Sequence, residues 1–89
     1  MLHLKDRTTR EWFKELRKIK NKVVRVQVAN IIWYDYASLY LPRCRLWNAY
    51  LCAWRRHHGA SPRNVRKALK ESGYTDAMAK RRSTIPIEW

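Results

Sequence analysis

Between Val23 and Leu41 the chain reads VVRVQVANIIWYDYASLYL, in which 14 of 19 residues are apolar or aromatic and only Arg25, Gln27, Asn30, Asp35 and Ser38 are polar. A helix this apolar on nearly every side must be wrapped by other elements or immersed in lipid. The polar residues decide against lipid, because one central Asp or Arg already costs about 2.5 to 3.5 kcal/mol to insert. Basic residues also flank both ends, Lys18, Lys20 and Lys22 on one side and Arg43 and Arg45 on the other, so no charge asymmetry would orient a span. The alternation Val24, Val26, Val28 would suit a strand, but the only partners on offer, the N-terminal arm and Ile85 to Ile87, are too short to make a sheet. The stretch therefore predicts the central helix of an all-α bundle, with Asp35 paired to an arginine of a neighbour.

Other helices follow from spacing and punctuation. Thr8 followed by Glu11 has the spacing of a capping box, so a helix begins at about Thr9. Trp12, Leu16, Ile19, Val23 and Val26 recur at the interval of a core-facing stripe. A break near Asn21 and Lys22 divides that helix from the apolar one. Pro42 suits the first turn of the next helix, expected to run to His58 with Trp47, Tyr50, Leu51 and Trp54 on one face and Gly59 as its C′ residue. Ser61 and Pro62 open a further helix, Pro62 to Ser72, which packs through Val65, Ala68 and Leu69. Gly73 closes it, Tyr74 folds back onto Leu69, and Thr75 caps a last helix from Asp76 to about Arg82. The expected architecture is a compact bundle of four to five helices in one small domain, residues 1–89. Residues 1–8 form an arm, 61–82 a hairpin and 83–89 a tail.

The hairpin has the outline of a helix-turn-helix, whose second helix lies in the major groove of DNA. Two positions depart from the pattern: Ser72 stands where an apolar residue usually locks the helices, and Arg82 falls at a usually buried position. The run GYTDAMAK, Gly73 to Lys80, loosely resembles phage helix-turn-helix domains, over too few residues to name a family. A generic helical hairpin with a basic surface remains the alternative.

Charge changes the picture most. Twenty Lys and Arg stand against seven Asp and Glu, a formal net charge of +13 on 89 residues. Between Arg43 and Arg82 there are 11 Lys and Arg against Glu71 and Asp76 alone, so most of these cations have no local partner. Such an excess favours a polyanion, most often nucleic acid. The expected contacts are Arg63, Arg66, Lys67, Lys70, Lys80, Arg81 and Arg82, with Arg55 and Arg56 next, and duplex DNA is favoured over RNA. Six such phosphate contacts would give a slope of log affinity on log salt of about −5.

Candidate chemistry is sparse. Cys44 and Cys52 lie eight residues apart, roughly 12 Å of helical rise, too far for a disulfide, and are expected as reduced, buried thiols. With His57 and His58 they lack the spacing of a metal site, and no metal or other cofactor is expected. The carboxylates are scattered and no Gly-rich phosphate loop or nucleophile signature occurs, so the residues do not point to an enzyme. The N-terminus carries charges throughout and has no apolar run of signal-peptide length, which predicts a cytoplasmic protein. Aromatic residues exceed what a small core uses, and Tyr34, Tyr40 and Trp89 are candidates for a protein interface or a homodimer. The second reading is accordingly a small phage or mobile-element-type interaction protein that inhibits or adapts a host protein or nucleoprotein complex.

Overall fold

The structure, a computed structural model, describes residues 4–56 and 60–84, with the side chain of Arg55 excepted. Expectations for the first arm residues, for His57 and His58, for Gly59 as a helix terminator and for the tail with Trp89 lie outside the described residues. Among the described residues the chain is all-helical without a strand, and its five main helices pack around one core. A short 3-10 turn, Leu4–Asp6, precedes α1, Thr9–Arg17. The capping box forms as expected. Thr8 Oγ1 accepts from the Glu11 backbone N–H at 3.2 Å, and the Glu11 carboxylate accepts from the Thr8 N–H at 3.2 Å.

The break falls where the sequence placed it. Asn21 caps α2, Lys22–Ile32, its side-chain oxygen accepting from Val23 N–H at 2.9 Å and Val24 N–H at 3.3 Å. The helix continues through a wide π-turn, Trp33–Ala37, where Ser38 N–H bonds to Trp33 O, and a last turn, Ser38–Tyr40, so the apolar stretch is helical as far as Tyr40. Helix α3 is Arg45–Ala53, followed by a 3-10 turn Trp54–Arg56. Helix α4 is Pro62–Glu71 and α5 is Asp76–Thr84.

Around α2 pack α1 through Trp12, Phe13 and Leu16, α3 through Trp47, and α4 through Val65, Ala68 and Leu69. Phe13, which lies off the predicted stripe, is buried and sets its ring 4.7 Å from that of Trp47. Among the polar residues of the apolar stretch, Arg25, Asn30 and Asp35 tie it to other elements. Arg25 donates through Nε and Nη2 to Ile19 O at 2.9 and 2.6 Å, satisfying a carbonyl just past the end of α1. Asn30, fully buried, donates to Val26 O at 2.8 Å and across to Tyr50 O of α3 at 2.9 Å. Asp35 receives Arg82 of α5, the arginine pairing predicted for it.

Three local expectations are corrected. Helix α3 starts at Arg45 and not at Pro42, because Leu41 before the proline is extended (φ −121°, ψ 147°). Leu41 and Cys44 then turn in to pack on the core before the helix begins. Ser61 precedes α4 but its hydroxyl makes no capping bond, leaving Pro62 as the start signal. Cys52 is exposed, since the buried stripe of α3 runs through Trp47; Cys44 is partly buried, and both thiols are free.

Candidate nucleic-acid interface

Helix α4 carries Arg63, Arg66, Lys67 and Lys70 at i, i+3, i+4 and i+7, a single stripe opposite the buried Val65 and Leu69. Their side chains line an open depression of about 260 Å³ with no other residue type in its wall. Asp76, at the start of α5, accepts a hydrogen bond from Arg66 Nη2 at 2.7 Å and lies 3.4 Å from Lys70 Nζ. The Arg66 hydrogen bond, with the charges of Arg66 and Lys70, holds the Asp76 carboxyl below its ordinary pKa and keeps it ionised. Arg63 and Lys67 have no ion pair among the described residues. Two of the four cations thus share one carboxylate, and two are unpaired among the described residues.

The turn that joins α4 to α5 is fixed by several contacts. Gly73 N–H bonds to Lys70 O at 3.1 Å and Tyr74 N–H to Leu69 O at 3.0 Å, a Schellman motif with Gly73 at φ 111°. The buried guanidinium of Arg7 donates to Ser72 O and lies over the Trp12 ring at 4.7 Å. Ser72 is buried without an apolar side chain because the N-terminal segment, rather than a hydrophobic lock, covers it. Thr75 Oγ1 then accepts from Met78 N–H at 3.3 Å and starts α5. Lys80 stands one turn beyond Asp76 on the same side of α5, and both Lys80 and Arg81 are exposed.

Arg82 is not part of this face. Its guanidinium forks onto Asp35, Nη2 to Oδ1 at 2.6 Å and Nε to Oδ2 at 3.1 Å, and it sits over the Tyr34 ring at 5.2 Å. Tyr74 Oη donates to the same Oδ2 at 2.9 Å. Burial, then the Asp35 charge and hydrogen bond, push the Tyr74 phenol well above its ordinary pKa, so it remains a donor. Tyr36, whose ring meets Tyr74 edge-on at 5.7 Å, is also shifted upward, by burial first and then by the Asp35 charge.

Of the remaining expected contacts, Arg56 is exposed in the turn after α3 and is not in the wall of the α4 depression; the Arg55 side chain and Trp89 lie outside the described residues. Tyr34 is 48% exposed and Tyr40 57%. Sequence reasoning passed over Leu39 at 71% and Leu46 at 55% exposure, the first embedded in the apolar run and the second off the aromatic stripe of α3. Arg7 it passed over as well, since nothing in a short mixed arm marks one cation for burial.

Among the described residues no three His, Cys, Asp or Glu gather to hold a metal ion, and no helix is long and apolar enough to cross a membrane. Comparison with known proteins gave no match to a family model, to a curated protein or to a solved structure.

Proposed function

We propose that this chain binds nucleic acid, duplex DNA foremost, through the phosphate backbone, with the outer face of α4 as its main contact and Lys80 and Arg81 of α5 beside it. The observation that carries the reading is the depression walled only by Arg63, Arg66, Lys67 and Lys70, of which Arg66 and Lys70 are paired with Asp76 and the other two have no ion pair among the described residues. Cations held together without partners repel one another, and phosphates relieve that repulsion while releasing condensed counterions. The hairpin is read as helix-turn-helix-like. Helix α4 crosses the backbone, and the exposed Ala77, Lys80, Arg81 and Thr84 of α5 are turned to the groove. Phosphate contacts position such a domain and base contacts specify it, and this face offers mostly the former.

The test is a titration of the full chain with duplex DNA, single-stranded DNA and RNA at 50 and 200 mM salt. About four phosphate contacts predict a loss of roughly a hundredfold in duplex affinity between the two salts. Absence of binding to all three at low salt overturns the reading.

A second reading, a protein partner, is favoured by the large apolar side chains left exposed at the end of α2 and on α3, namely Leu39, Tyr40 and Leu46. An inhibitor or adaptor of that kind gives a salt-tolerant complex with one protein, whereas the nucleic-acid complex dissolves as salt rises.

A further inference from the structure

Next to the α4 depression lies a second groove of about 310 Å³, between the α1–α2 corner and α4. Lys18, Lys20 and Asn21 stand on the corner side, and Asn64, Lys67 and Glu71 on the α4 side. Lys67 lines both hollows, so the two adjoin at that side chain. The corner is built to hold its shape. Arg25 clamps Ile19 O at 2.9 and 2.6 Å, and the Asn21 side chain is fixed by bonds from Val23 and Val24 N–H. Those bonds use the Asn21 oxygen and leave its amide nitrogen free to donate. Lys18 is engaged with Glu15 at 3.2 Å, but Lys20 is exposed and has no ion pair among the described residues.

We infer that this groove is a second phosphate-binding segment, and that a duplex DNA backbone leaving the α4 stripe passes over Lys67 onto the α1–α2 corner, where Lys20, with Lys18, meets the next phosphates. The inference rests on the nucleic-acid reading and extends it to a part of the chain outside the hairpin. Charge complementarity selects the occupant, because three lysines and one carboxylate, Glu71, line an opening that adjoins a purely cationic hollow. The carboxamides of Asn21 and Asn64 add neutral donors of the kind that hydrogen-bond phosphate oxygens and sugar.

The experiment compares Lys20→Ala with Lys14→Ala in the full chain. Lys14 is exposed on α1 and lines neither hollow, so both variants lose one charge but only one loses a contact. Affinity for a fluorescent duplex is measured across a salt series. Lys20→Ala is expected to flatten the log–log slope by about 0.9 and weaken binding severalfold at low salt, with Lys14→Ala keeping the wild-type slope. Equal behaviour of the two variants, with wild-type binding intact, overturns the groove and leaves the α4 reading standing. Wild-type protein that binds no duplex overturns both. A Lys20→Ala effect confined to single-stranded DNA or RNA overturns the duplex assignment.

Discussion

Asp35 and Arg82 meet in a two-pronged ion pair between the π-turn of α2 and the last helix, with Nη2–Oδ1 at 2.6 Å and Nε–Oδ2 at 3.1 Å. The Asp35 side chain is 5% exposed and that of Arg82 24%, so the pair is largely desolvated. Removing one partner strands the other, at about 3 kcal/mol. Arg82→Ala is therefore expected to lower stability by about that amount, and Asp35→Ala comparably, in urea denaturation. The paired replacement Asp35→Leu with Arg82→Met should recover part of the loss, because it leaves no buried charge but takes the acceptor from the buried Tyr74 hydroxyl. A phosphate contact at Arg82 predicts instead that its removal weakens DNA binding at unchanged stability.

Tyr74 adds a pH dependence. Its phenol is buried beside Asp35 and its folded pKa is raised, so the contribution is complete below about pH 10, the ordinary tyrosine value. Above that value the unfolded chain releases a proton that the folded one retains, and stability falls as pH rises. Tyr36 shifts in the same direction, while Arg82 opposes both. Stability measured between pH 9 and 11 should decline less steeply in Tyr74→Phe than in wild type. At neutral pH that variant should be about 1 kcal/mol less stable from the lost hydrogen bond. Equal alkaline slopes would refute the assignment.

The α4–α5 turn and the N-terminal segment are coupled. A Cβ on Gly73 would stand 3.0 Å from both Arg7 Nη2 and Leu4 Cδ2, and φ at 111° is strained for any side chain. Gly73→Ala is expected to cost about 1 to 3 kcal/mol. Arg7→Ala removes both the donor to Ser72 O and the cation over Trp12. Because the two sites touch, the double variant should depart from additivity by at least about 0.5 kcal/mol in a double-mutant cycle. Strict additivity would mean that the segment does not brace the turn.

How far the sequence reached can be followed along α2. Its apolar run marked the central helix, Asn21 ahead of it marked the break, and Asp35 within it marked a partnered acid. Composition alone does not say which arginine of the many satisfies Asp35, since Arg66, Arg81 and Arg82 all lie in the C-terminal helices. Only the packing of α5 against the π-turn selects Arg82. Likewise the stripe Arg63, Arg66, Lys67, Lys70 was legible from helical spacing. The approach of Lys20 to Lys67 was not, because it depends on the angle at the α1–α2 corner, which Arg25 fixes by a contact six residues back. Helix α3 was read too long because Pro42 was given its usual place at a helix start, whereas Leu41 and Cys44 are drawn inward first.

Asp76 offers the most direct probe of the proposed interface, since it is the carboxylate that holds Arg66 and Lys70 on the cationic face. It is exposed, and its lowered pKa keeps it charged at neutral pH. Asp76→Asn retains a polar residue at the helix start while freeing both cations and raising the local charge by one. Stability should change little, because exposed ion pairs contribute little. Duplex affinity at low salt should rise severalfold, and the log–log slope should steepen by up to about 0.9 as a further cation becomes available to phosphate. The gain should vanish in the Arg66→Ala, Lys70→Ala background, where there is no cation to release. A salt series on four proteins, wild type and the double-Ala background each with and without Asp76→Asn, checks all of this. Unchanged or weaker binding by Asp76→Asn would place the nucleic acid on a different surface from α4.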